Sequence, residues 1–80
     1  MPYVAQDVRN LLNEGLVPLN PGQLNYTLSQ ILRRYLEEKE ISYATYNEII
    51  GVLECLKLEF YRRLVASYED TKREVNGDVW

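Results

Sequence analysis

The stretch from Tyr46 to Tyr68 most constrains the fold, because it has the pattern of one long helix that is apolar around most of its circumference. At 100° per residue, its apolar residues form two neighbouring stripes that together cover roughly 240°. These residues are Ile49, Val52, Leu53, Leu56 and Phe60 in the first stripe, and Ile50, Leu58, Tyr61, Val65 and Tyr68 in the second. An 80-residue chain has too few other helices to cover so wide a surface. We therefore expect this helix to pack against other copies of the chain.

The three prolines all lie before residue 22, which predicts a short lead followed by long helices. The whole chain is predicted to be a single all-α domain: a helical hairpin with a short N-terminal helix, assembled as a homo-oligomeric helical bundle. Its predicted segments are a lead at 1–21 with a helix from about residue 5 to 14, a second helix at 22–39, a long third helix at 42–69, and a C-terminal tail at 70–80.

Helix boundaries follow from residues that favour helix ends. Gly15 stands where a glycine commonly ends a helix. Asn20 is expected to cap the second helix, with Pro21 in its first turn and the side chain of Gln23 reaching back to the cap backbone.

Two further boundaries are left open by the sequence. Either Ser42 or Thr45 caps the third helix, and residues 45–48 have the form of a capping box. In the tail, residues 76–77 (Asn-Gly) indicate either a tight turn or a helix terminus. Trp80 is predicted to dock onto a partner helix or to close over a pocket.

Composition removes several classes of function. The chain has no histidine and one cysteine, so a histidine general base, a Cys/His zinc site and a disulfide framework are not expected. Twelve acidic against nine basic residues disfavour general nucleic-acid binding. Neither a membrane span nor a secretion signal is seen, and a single Cys55 fits a reducing cytoplasm. We expect no catalytic residues, no metal and no cofactor.

Seven tyrosines are the compositional outlier, and arginines stand next to two of them. Tyrosine rings can stack on a nucleobase, and guanidinium groups can pair with phosphate. The candidate ligand-binding residues are Tyr26, Tyr61 and Tyr68 for stacking and Arg34, Arg62 and Arg63 for phosphate. The alternative is that the tyrosines build a core and a subunit interface, while the arginines lie on solvated surface with Glu37, Glu38 and Glu59 as partners.

Small and charged residues interrupt the apolar surface of the third helix. Glu54 and Lys57 are spaced to pair with each other, either at a wet interface rim or facing a ligand. Gly51 costs about 1 kcal/mol relative to alanine within a helix, so we interpret it as a packing glycine. Cys55, four residues later, is expected to be a small buried residue rather than a nucleophile.

Three stretches, GQLNYTLSQILRRYL, SYATYNEIIGVLECLKLEFYRR and SYEDTKREVNGDVW, resemble a small uncharacterised all-helical family found in phages and prokaryotic genomes. The resemblance extends from Gly22 to Trp80 and matches the lead less well. This chain has Ser67 where the family pattern has a proline. The resemblance implies a phage setting and no particular activity.

We therefore expect a non-enzymatic binding protein, with a phage counter-defence factor that sequesters a small nucleotide signal between subunits as the leading hypothesis. The first alternative is an inhibitor or assembly factor that binds a host protein. The second alternative is a small magnesium-dependent enzyme that acts on a nucleotide, because one or two carboxylates suffice for such a metal site.

Overall fold

A computed structural model describes residues 4–80, and this part of the chain confirms the all-α class. The helices are α1 at Gln6–Asn13, α2 at Pro21–Glu37, α3 at Tyr43–Phe60, a π-helical turn at Tyr61–Val65 and α4 at Ala66–Asn76. The chain divides into two compact units, Met1–Thr45 and Tyr46–Trp80, with the division in the first turn of α3. The hairpin and the homo-oligomeric bundle stay predictions.

The end of α1 is closed by Gly15, as its position in the sequence predicts. Gly15 has a φ of 110°, a conformation that side-chain-bearing residues rarely adopt. Its N–H donates to the carbonyl of Leu12 at 3.1 Å, and the N–H of Leu16 donates to the carbonyl of Leu11 at 2.9 Å. These two bonds form a Schellman motif, which satisfies carbonyls that the helix itself leaves free.

The start of α2 is fixed by Asn20 and Pro21. The side chain of Asn20 accepts a hydrogen bond from the N–H of Gln23 at 2.8 Å, and Pro21 occupies the first turn, so this cap is confirmed. The Gln23 side chain reaches back one residue further than expected. Its Oε1 accepts from the N–H of Leu19 at 2.9 Å, so it ties the residue before the cap and not the cap itself.

Packing in the first unit joins α1 to α2. The buried apolar residues there are Val4 and Leu12. Arg9 Nε donates to the carbonyl of Val4 at 2.8 Å, and its guanidinium carbon lies 5.8 Å from the centre of the Tyr26 ring. Asn13 Nδ2 donates to the Tyr26 hydroxyl at 3.1 Å. Side chains of α1 thus bind Tyr26 on its ring and at its hydroxyl.

Of the two candidate caps for α3, the structure selects Ser42. Ser42 Oγ accepts from the N–H of Thr45 at 3.2 Å. Thr45 is buried, and its hydroxyl donates to the carbonyl of Glu40 at 2.9 Å. The predicted capping box at 45–48 is therefore wrong, because the helix already begins at Tyr43 and the Thr45 hydroxyl is used by the preceding loop.

One uninterrupted helical rod runs from Tyr43 to Asn76, because the residues at both ends of the π turn keep helical backbone angles. The rod extends beyond residue 69, where the tail was expected to start. Thr71 Oγ1 donates to the carbonyl of Ser67 at 3.1 Å, which gives this polar stretch a helical hydrogen bond. Of the two predictions for 76–77, the helix terminus is confirmed: Gly77 has a φ of 86° and donates to the carbonyl of Arg73 at 2.8 Å.

Gly51 was expected to allow close packing of another helix. A methyl group at this position would meet no atom within 4 Å, so no neighbouring group packs against Gly51 within the chain that the structure describes. We expect Gly51→Ala to stabilise the helix by up to about 1 kcal/mol, because alanine restricts the unfolded chain more than glycine does. The measurement is thermal unfolding followed by circular dichroism. Gly77→Ala is the matched control and should destabilise, because Gly77 has a positive φ. A lower melting temperature for Gly51→Ala would show that another helix approaches this glycine closely.

Candidate functional site

The candidate ligand residues of the second unit lie at and beside the π turn. We call the group Glu59, Tyr61, Arg62, Arg63 and Glu69 the π-turn cluster. The N–H of Ala66 donates to the carbonyl of Tyr61, a bond that spans five residues where an α-helix would span four. Such turns insert one residue into a helix and occur frequently at functional sites.

Both arginines of the cluster bind one carboxylate. Arg62 Nη2 donates to the two oxygens of Glu59 at 3.0 Å, and Arg63 Nε donates to one of the same oxygens. The side chains of all three residues are largely exposed, so each ion pair contributes only about 0.2–1 kcal/mol. The arrangement agrees with the solvated-surface alternative for these arginines, and it also holds two guanidinium groups side by side.

Tyr61 is linked to α4. Its hydroxyl donates to Glu69 Oε2 at 3.2 Å across eight residues. This hydrogen bond raises the pKa of the Tyr61 hydroxyl above its ordinary value of 10.0, and the negative charge of Glu69 adds to the effect. Sequence reasoning missed Glu69, because residues eight apart lie on different faces of a regular α-helix.

The raised pKa of Tyr61 predicts a pH dependence. The stabilising contribution of its hydroxyl is fully present below pH 10 and is lost as the pH rises through the raised folded-state pKa. We expect Glu69→Gln to return the ionisation of Tyr61 to a lower pH. The measurement is the ultraviolet absorbance of tyrosinate during an alkaline titration.

Glu74→Gln serves as the control for that titration, because Glu74 takes no part in the hydrogen bond of Tyr61. In a Tyr61→Phe background, the alkaline titrations with and without Glu69→Gln should be the same, because the hydroxyl that responds to Glu69 is absent. An unchanged titration for Glu69→Gln would contradict the hydrogen bond.

The remaining candidates are Tyr68 in the second unit and Tyr26 and Arg34 in the first. Tyr68 is exposed, and the ammonium of Lys72 lies 5.5 Å from the centre of its ring. In the first unit, Tyr26 is engaged by α1, as described above, and Arg34 is exposed on α2. The structure thus brings Arg62 and Arg63 together on Glu59 and links Tyr61, which precedes them, to Glu69.

The predicted charge pairs have mixed outcomes. Lys57 Nζ lies 3.2 Å from Glu54 Oε1, so this pair is confirmed, and both side chains are exposed. The pairs expected between 33–34 and 37–38 are wrong: among the ion pairs of residues 4–80, none involves these side chains. Cys55 is a free, exposed thiol rather than the buried residue that was expected.

A shallow cleft lies between the last turns of α4 and the end of the chain. Its lining includes Glu69, Arg73 and Trp80. The indole of Trp80 borders this cleft and is fully exposed, and its backbone N–H donates to Asp78 Oδ1 at 2.9 Å. The open shape of this cleft gives no closed site around a ligand.

Two observations on residues 4–80 concern metal-ligating side chains and membrane-spanning helices. No three side chains of His, Cys, Asp or Glu come together there as a metal site. None of the helices within residues 4–80 combines the length and the hydropathy needed to cross a bilayer.

Comparison with known proteins identifies a family but no individual relative. Neither the curated proteins nor the solved structures contain a match to the chain. One family, described as "Domain of unknown function (DUF6899)", matches residues 1–79. The match includes the N-terminal lead, which the resemblance noted in the sequence covered less well. Since the family extends over almost the whole chain, the protein belongs to the DUF6899 family.

Proposed function

We propose that the protein is a non-enzymatic binding protein that works as a homo-oligomer through its second unit. The observation that carries this proposal is the exposure of large apolar side chains along the rod, several of which are more than half exposed. They include Ile50, Val52, Leu56, Phe60 and Leu64. A contiguous apolar surface of this kind is typical of an interaction site.

Energetics support association of the rod with another helix. A single helix cannot bury its own sides, so residues 46–80 have no internal core, and none of them is buried. Burying one large apolar side chain contributes about 1.5–3 kcal/mol. Four side chains on each of two chains, each about 60% exposed, therefore contribute about 7–14 kcal/mol, which is comparable to an association cost of about 4–15 kcal/mol.

The test is the mass of the purified full chain in solution, measured by light scattering and by sedimentation over a wide concentration range. We expect a multiple of 9.4 kDa. A strict monomer at high concentration would overturn the proposal. Circular dichroism on the same samples shows whether the rod is helical when the mass is measured.

A small anionic ligand at the π turn is a second candidate function, and the two guanidinium groups that Glu59 holds next to each other favour it. Phosphate prefers two guanidinium donors, and an aromatic ring provides a face on which a base can stack. In this chain Glu59 already occupies both arginines, so a phosphate has to replace this carboxylate. The proposed ligand is a nucleotide that binds Arg62 and Arg63, with Tyr68, Tyr26 or Arg34 of neighbouring subunits completing the site.

Calorimetric titration with cyclic dinucleotides, cyclic trinucleotides and adenosine diphosphate-ribose tests this second candidate. We expect Arg62→Ala with Arg63→Ala to abolish binding and Glu59→Gln to strengthen it, because the competing carboxylate is gone. Arg73→Ala is the matched control, because it removes a positive charge from the same rod outside the cluster. The absence of heat with every nucleotide would remove the ligand hypothesis.

The host-protein alternative predicts a different result. An inhibitor or assembly factor would retain one specific protein from a host lysate and bind none of the nucleotides. The phage setting and the cytoplasmic location stay predictions.

A further inference from the structure

The apolar residues of α3 contain a strict heptad pattern. Steps of three and four residues alternate along Tyr46, Ile49, Leu53, Leu56 and Phe60. Helices with this repeat wind around each other in a left-handed supercoil, because 3.5 residues per turn keep one seam facing the partner. We call these five residues the first half of the seam.

The pattern does not continue past Phe60 in the spacing of a regular helix. The next positions of an uninterrupted repeat are 63, 67, 70 and 74, which hold Arg, Ser, Asp and Glu. Positions one residue later hold Leu64, Tyr68, Thr71 and Val75, which are apolar apart from the threonine. We call these four the second half of the seam. The two halves therefore form one apolar stripe only if the helix contains one extra residue between them.

The π turn at Tyr61–Val65 provides this shift at the required place. Because it inserts one residue, the rod after it is rotated back by about 100° relative to a regular α-helix. The contact between Tyr61 and Glu69 is independent evidence of the rotation. Residues eight apart on an α-helix lie about 80° apart, whereas after one inserted residue they lie only about 20° apart. The hydrogen bond of 3.2 Å agrees with the second geometry.

We propose that the two halves form one continuous seam, and that its occupant is the same seam of a second copy of this chain, parallel and in register. The proposal rests on the self-association put forward above and adds its surface and its direction. Thr71 is compatible with the seam, because its hydroxyl already donates to the carbonyl of Ser67.

Charges beside the seam give the direction. The charged residues on one flank are Lys57 and Lys72, and those on the other flank are Glu59 and Glu74. In a parallel pair, the lysine flank of one copy lies along the glutamate flank of the other. An antiparallel pair places lysine beside lysine and glutamate beside glutamate. Flanking charges of this kind select partner and orientation in coiled coils, so the parallel arrangement is favoured.

Cysteine cross-linking of the full chain tests both parts of the proposal. Cys55 is first replaced by serine, and single cysteines are then introduced by Leu53→Cys, Leu64→Cys, Thr71→Cys, Asp70→Cys or Leu58→Cys. In a parallel pair in register, each seam residue faces its own copy within disulfide distance. We expect cross-linked chains under mild oxidation for positions 53, 64 and 71. Positions 70 and 58 should stay uncoupled, because they point away from the seam.

Each other outcome has a defined meaning. Coupling at 70 and not at 71 would overturn the shift at the π turn. Coupling only in a mixture of the 53 and 64 variants would overturn the parallel direction. If the chain is oligomeric by mass and none of the seam cysteines couples, the seam proposal is wrong and self-association stands. If the mass is that of a monomer, self-association itself fails.

Discussion

Replacing Phe60 by aspartate is expected to separate the proposed assembly into monomers of 9.4 kDa. Phe60 lies in the middle of the seam, directly before the π turn. The substitution removes about 2 kcal/mol of apolar burial per chain and places a carboxylate, whose desolvation costs several kcal/mol, in the interface. Association should weaken at least about 1,000-fold, which corresponds to roughly 4 kcal/mol. Sedimentation at several concentrations measures the effect.

Leu58→Asp is the matched control for that experiment. Leu58 and Phe60 are almost equally exposed in the single chain, at 57% and 59%, but Leu58 lies on the face away from the seam. The same charge there should leave the mass unchanged. Both variants should keep their helical circular dichroism, which separates loss of assembly from loss of folding. A monomeric Leu58→Asp beside an oligomeric Phe60→Asp would place the interface on the opposite face.

Leu12→Ala is expected to destabilise the first unit by about 2–3 kcal/mol. Leu12 is the most buried apolar residue of the described chain, at 5% exposure, and it lies on the helix that packs against α2. Removing a buried leucine side chain costs its transfer free energy and leaves a cavity. A small unit has little stability in reserve, so the melting temperature should fall by roughly 10 °C. Thermal unfolding by circular dichroism measures the change.

The neighbouring leucine provides the control. Leu11 has the same side chain in the same helix and is 51% exposed, so Leu11→Ala should cost well under 1 kcal/mol. The backbone carbonyl of Leu11, which accepts from Leu16, is present in both variants. Equal effects of the two substitutions would contradict the packing of α1.

The ends of α1 and α2 were predictable because each depends on residues within a few positions of one another. Gly15, Asn20 and Pro21 act through their own backbone conformation or through a hydrogen bond to a residue at most three positions away. The sequence limited the cap of α3 to two candidates, Ser42 and Thr45, because a helix cap also acts on residues only a few positions away. The choice of Ser42 needed the structure, because Thr45 binds the carbonyl of Glu40 in the preceding loop.

The candidate ligand residues were only partly predictable. The sequence alone places Tyr61, Arg62 and Arg63 together, because they are adjacent. It also names Glu59 as a partner, since acids and bases three or four residues apart meet on a helix. The partner of Tyr61 lies eight residues away, and only the rotation at the π turn brings Glu69 to the same face.

By itself, the sequence determined the all-helical class, the end of α1, the start of α2 and the apolar surface of the rod, since each of these depends on residue type and on spacing along one helix. Only the three-dimensional structure showed that the rod continues to Asn76 and that the side chains of α1 bind Tyr26. It alone also showed the π turn at Tyr61–Val65. The physical reason is distance along the chain. Contacts between residues eight or more positions apart depend on the path of the backbone, which no local propensity contains.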